Sequence, residues 1–148
     1  MALLDCVRTA GVSAIHMTMH HGQDQAVRAL VQAVLASDLP LETRLAVIRR
    51  PRVGGETPLV TAIDRGQIAC VAAYAQAVLT APLEDSLKRS LLLPDRSADP
   101  ALHQALRAGP HARAAAAAMR AELTRLPAGA VTQSLRLGML EELAPLCA

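Results

Sequence analysis

The feature that most constrains this chain is an internal repeat of about 44 residues. Its clearest copy opens with Gly54-Gly55-Glu56-Thr57-Pro58-Leu59-Val60-Thr61-Ala62-Ile63-Asp64-Arg65-Gly66. Thr57 offers an N-cap oxygen, and Pro58 follows at the first helical position, where a missing N–H is no loss. Leu59, Ala62 and Ile63 then form one apolar stripe, and Gly66 stands where a left-handed C-cap would end a short helix. A second apolar helix begins almost at once, with Ile68, Val71, Ala72, Ala75, Val78 and Leu79 on one face. Shifted back by 44 positions, Gly66 falls on Gly22 and Gln76-Ala77-Val78-Leu79 on Gln32-Ala33-Val34-Leu35. Shifted forward by 43, Leu59, Ala62 and Gly66 fall on Leu102, Ala105 and Gly109. A repeat of this length specifies one supersecondary unit stacked on its neighbours rather than a single closed core.

Each copy has three parts. A short first helix precedes the glycine elbow. A longer second helix is predicted over Gln23 to about Ser37, Gln67 to Ala81 and Pro110 to Arg125. A third, proline-started helix is predicted over Pro40 to about Arg50, Pro82 to Leu93 and Pro127 to about Leu140. Residues 1–10 align with the end of a copy and are expected to belong to a preceding repeat or to act as an N-terminal cap. The copies span 11–53, 54–97 and 98–140, with 141–148 as a C-terminal cap, all within one domain. Ala and Leu dominate and β-branched runs are scarce, which favours helices throughout. The expected fold is an all-α solenoid of three repeats with terminal caps.

Thr57-Pro58-Leu59 followed by Ala62 and Gly66 resembles the first helix of an ankyrin repeat, with its Thr-Pro-Leu-His-x-Ala signature. His16 and His103 stand where that signature has its histidine, and the central copy has Val60 there. The period is longer than the roughly 33 residues of ankyrin and overlaps that of HEAT and armadillo repeats, about 40–47. The extra length lies in the proline-started piece, where ankyrin repeats carry a β-hairpin finger. Elongated repeats of this kind are similar to the ankyrin modules of bacterial type III secreted effectors, including the C-terminal region of arginine ADP-riboxanase effectors. That resemblance implies a non-enzymatic protein–protein interaction module. It would be the target-recognition part of an effector, or an adaptor, whose partner is another protein such as a host protein.

Composition excludes several other classes. Net charge is +2, and only one residue is aromatic. Neither a basic footprint nor a stacking platform for nucleic acid is present, so no nucleic-acid partner is expected. Arg49-Arg50-Pro51-Arg52 is the sole basic cluster and lies at a predicted helix end, where cations offset the dipole. The uncharged run from Gly66 to Leu83 is interrupted by Gln67, Gln76 and Pro82 and keeps its apolar residues to one face, so no membrane partner is expected. Cys6, Cys70 and Cys147 are odd in number and widely spaced, the usage of a reducing compartment. No Sec-type signal is visible, and the expected location is the cytoplasm or, by another secretion route, a host cell.

The competing class is a small helical enzyme or metal-binding domain using His16, His20 and His21, or Cys70. His16 and His20 are four apart, but a metal centre needs three or four convergent ligands, and no His-Glu-x-x-His pattern is present. Cys70 lies beside an apolar stripe, and no nucleophile, phosphate-loop or dinucleotide motif occurs. No catalytic residue and no cofactor is therefore expected. A third reading is an array that binds nothing specific. In an ankyrin-like stack the variable positions of the first helices face one side. This places a protein-binding surface on Val12, Met17, His20 and His21, then Glu56, Thr61, Asp64 and Arg65, then Asp99, Gln104 and Arg107.

Overall fold

The structure, a computed structural model, describes residues 14–49, 57–94, 97, 99–127, 129 and 131–147. Val12, Glu56, the proposed N-terminal cap and the Gly54-Gly55 pair lie outside the described residues. Among the described residues the chain forms nine helices and no strand. They are α1 (Ala14–His20), α2 (Asp24–Leu35), α3 (Leu41–Arg49), α4 (Pro58–Asp64), α5 (Ile68–Leu79), α6 (Asp85–Leu92), α7 (Pro100–Ala108), α8 (Ala112–Arg125) and α9 (Gln133–Cys147).

Equivalent helices pack on one another. The short helices form one row, α1 on α4 on α7, and the long ones a second row behind it, α2 on α5 on α8. Helix α3 packs on α2 and α4, α6 on α5, and α9 on α8 and α6. The burial pattern follows. Helix α2 buries a single stripe of Val27, Val31, Val34 and Leu35. Central α5 has a neighbour on each side and buries Cys70, Val71, Ala73, Tyr74, Ala75, Ala77, Val78 and Leu79. Alanine suits that position because helix axes approach closely only where side chains are short.

The first two copies agree at the level of single hydrogen bonds. Gly22 and Gly66 both have φ of 70°. At the second elbow Gly66 N–H donates to Ile63 O at 3.1 Å and Gln67 N–H to Ala62 O at 2.8 Å. At the first, Gly22 N–H donates to Met19 O at 3.3 Å and Gln23 N–H to Thr18 O at 2.9 Å. This is the Schellman pairing, which satisfies the last carbonyls of the short helix and needs a left-handed residue. The third copy departs from it. Gly109 has φ −72° and ψ 159°, because it precedes Pro110, which pushes its neighbour into the extended region. Glycine serves there by allowing close approach, since a Cβ would lie 2.9 Å from the Ala105 carbonyl oxygen.

A second recurring device ties the third helix of each copy to the second. Arg44 donates to Leu35 O at 2.8 Å, and Lys88, one period later, donates to Leu79 O at 2.8 Å. In the last copy Arg136 donates to Leu126 O at 3.0 Å and to Pro127 O at 3.1 Å. Each cation meets carbonyls at or just beyond a helix C-terminus, where the backbone dipole favours positive charge. Thr57 occupies the N-cap position of α4, but its side chain makes no capping bond. Helix α9 runs unbroken across residue 140, so the line drawn there between repeat and cap falls inside one helix.

Candidate interaction surface

The proposed surface lies along the outer edge of the α1–α4–α7 row. Each short helix buries one face, through Ile15 and Met19, Leu59 and Ile63, and Leu102 and Leu106, and leaves other positions to solvent. Met17 is 47 % exposed, and His21 is exposed beside the half-buried His20. Those two rings meet edge to face, with centroids 5.0 Å apart. Asp64 and Arg65 are exposed at the end of α4, and Gln104 and Arg107 on α7.

The structure brings two of these residues together. A groove of about 320 Å3 runs between α4 and α7, with Val60, Ala101, Ala105 and Ala108 as its walls and Asp64 and Gln104 on its rim. Arg107 faces elsewhere. It pairs with Glu142 of α9 at 3.5 Å, donates to its own His103 carbonyl at 3.2 Å, and lines a second cavity at the end of the row. Asp99 caps α7, accepting the Leu102 N–H at 3.1 Å. That role is structural, and it accounts for an acidic residue ahead of Pro100.

Thr61 requires a correction. It was expected on the surface, yet it is only 1 % exposed and is hydrogen bonded to His16 Nε2 at 2.9 Å. Met17, Thr61 and Gln104 are equivalent positions in the three copies, exposed in the outer two and buried in the middle. The cause is the packing around α4, which has α1, α3, α5 and α7 against it. Pro58 through Ile63 are all buried, leaving Asp64 and Arg65 as its exposed part.

His16 and Cys70, two residues of the enzyme or metal reading, are buried in the fold. His16 is 2 % exposed and bridges the first copy to the second through Thr61. Among the described residues, no three His, Cys, Asp or Glu side chains are grouped so as to hold a metal ion. Cys70 is buried with its Sγ 3.9 Å from the Thr18 carbonyl oxygen. Burial, and secondarily Asp24, pushes its thiol up, which disfavours the nucleophilic thiolate. Among the described residues, no helix is long and apolar enough to cross a membrane.

Sequence reasoning missed Arg113, which lines the second cavity with Arg107, and the Arg89–Glu142 pair at 2.7 Å. Both depend on where α9 returns across the stack, which no local pattern gives. No protein-family model matches this chain, and no curated protein or solved structure matches it at a significant level.

Proposed function

We propose that this chain is a solenoid of ankyrin-like helical repeats that binds another protein along the edge of α1, α4 and α7. The observation that supports this most is the contrast between frame and edge. The frame repeats down to the elbow hydrogen bonds at Gly22 and Gly66. The exposed edge changes chemistry from Met17 and His21 to Asp64 and Arg65, then to Gln104. A constant frame carrying a variable face is how repeat proteins build extended recognition surfaces. In the same reading the module selects a target, as the recognition part of a bacterial effector or as an adaptor, and performs no chemistry itself.

The test is affinity capture from host-cell lysate with wild type and with an Asp64→Arg, Arg65→Glu double variant. The variant is expected to lose a specifically retained protein while its melting curve stays near wild type. Exposed substitutions of this kind usually shift stability by less than about 0.5 kcal/mol, so lost capture would not be lost folding. Retention at wild-type levels would remove α4 from the binding surface.

A further inference from the structure

In the first two copies the elbow is closed by the copy that follows. A Cβ at Gly22 would lie 2.7 Å from the Gln67 side chain, and one at Gly66 would lie 2.9 Å from the His111 ring. Gln67 and His111 both stand at the N-cap of a long helix. The third elbow is different. Beside Gly109 and Pro110 a cavity of about 460 Å3 opens between the end of α7 and the start of α8, with Pro145 and Leu146 of α9 as its far wall. Arg107 and Arg113 line it, and among the described residues none of those lining it is acidic. The carboxylate beside it, Glu142, is already shared between Arg89 at 2.7 Å and Arg107 at 3.5 Å. Two guanidinium groups thus share that carboxylate, and Arg113 lines the same cavity as one of them.

We infer that this cavity receives an acidic segment of the bound protein, with an aspartate or glutamate side chain held between Arg107 and Arg113. The inference rests on the protein-binding reading and names the chemistry of the partner at this end of the surface. Guanidinium groups are the preferred partners of carboxylates because their planar fork donates two parallel hydrogen bonds. Size points to a segment of chain. A single inorganic anion would fill only a small part of this volume. Gly109 borders both this cavity and the groove rimmed by Asp64 and Gln104. A segment lying along α7 would place its acidic residue at Arg107 and Arg113 and present the opposite charge to Asp64.

The probe is a fluorescein-labelled peptide of alternating glutamate and leucine, followed by fluorescence anisotropy at physiological ionic strength. Wild type is compared with Arg113→Glu and with Arg120→Glu. Arg120 is exposed on the same helix but outside the cavity, so its variant makes the same charge change. Arg113→Glu is expected to weaken binding by about tenfold or more, the scale on which breaking a close charge pair shifts a complex. Arg120→Glu should stay within about twofold, as expected for an isolated exposed charge. Equal losses in both variants, or no binding by wild type, would overturn the inference. So would displacement of the peptide by an equal concentration of inorganic phosphate, which would assign the cavity to a free anion. Capture from lysate separates the two readings. If Arg113→Glu keeps both peptide and captured protein at wild-type levels, this inference falls and the protein-binding reading stands. If Arg113→Glu loses both while the Asp64/Arg65 variant keeps the protein, the inference stands and the assignment to α4 falls.

Discussion

At the scale of single residues, glycine does two different things at three aligned positions. Gly22 and Gly66 hold φ of 70°, and each also lies under a side chain from the next copy. A Cβ at Gly66 would therefore meet two penalties, left-handed strain and a contact of 2.9 Å with the His111 ring. Gly66→Ala is expected to destabilise the protein by more than about 1 kcal/mol, measured by urea or thermal unfolding. Gly129 supplies the control, since it has φ of 97° but nothing within 4 Å of a Cβ, so alanine there carries strain alone and should cost less. Adding His111→Ala should recover part of the Gly66→Ala loss, because residues in contact are coupled by about 0.5 kcal/mol or more. A Gly66→Ala protein as stable as wild type would mean that the elbow is not held left-handed in solution. Gly66 was legible in the sequence because helix, glycine and helix follow within one short stretch. The different state of Gly109 was legible too, in Pro110, but the alignment of glycine on glycine obscured it.

At the scale of elements, the third helix of each copy is more than a spacer. Arg44, Lys88 and Arg136 each reach back to the end of the preceding long helix. Lys88 does so from a buried position, 4 % exposed, with its ammonium 2.8 Å from the Leu79 carbonyl oxygen. Charge reversal at Lys88 therefore tests the fold. Lys88→Glu places a buried carboxylate against helix-end carbonyls and near Asp85, and leaves Leu79 O without its donor. It is expected to destabilise by more than about 2 kcal/mol, whereas exposed Arg89→Gln should lose only the part carried by its pair with Glu142, less than about 1 kcal/mol. Equal melting points for wild type and Lys88→Glu would show that the clamp contributes nothing. The spacing was in the sequence, since Arg44 and Lys88 stand 44 apart, as do Leu35 and Leu79. What it did not show was direction. A lone lysine in a polar-looking helix reads as solvated until the neighbouring helix end is placed beside it.

For the whole molecule, position within the stack decides what each copy exposes. Met17, Thr61 and Gln104 align yet differ in burial, because among the described residues α4 packs against α1, α3, α5 and α7 while α1 and α7 have fewer helices against them. This is why the helix order and the elbows could be read from sequence while Thr61 was misplaced. Periodicity assigns a face, and only the count of neighbours says whether that face reaches water. The single tyrosine reports on the same property. Tyr74 lies on α5 and is 2 % exposed. Burial pushes its phenol well above its ordinary value, with Arg49 opposing and Asp99 adding to the shift. An unfolded tyrosine ionises near pH 10. Above that pH the folded state keeps a proton that the unfolded state has lost, so this group's contribution is fully present below pH 10 and is lost as pH rises further. Lys88 acts in the opposite sense, since burial pushes its ammonium down and the folded state releases that proton first. The net slope of stability with pH is therefore not the readout. The readout is coincidence. Through pH 10 the folded protein should show no tyrosinate absorbance, and the absorbance should then rise together with the loss of helical circular dichroism. In concentrated urea the same phenol should titrate near pH 10. Tyrosinate forming near pH 10 with the helical signal intact would mean that water reaches Tyr74 while the helices persist. Helix α5 would then not be enclosed by α2 and α8, and the burial of Thr61 in the neighbouring row would lose its explanation.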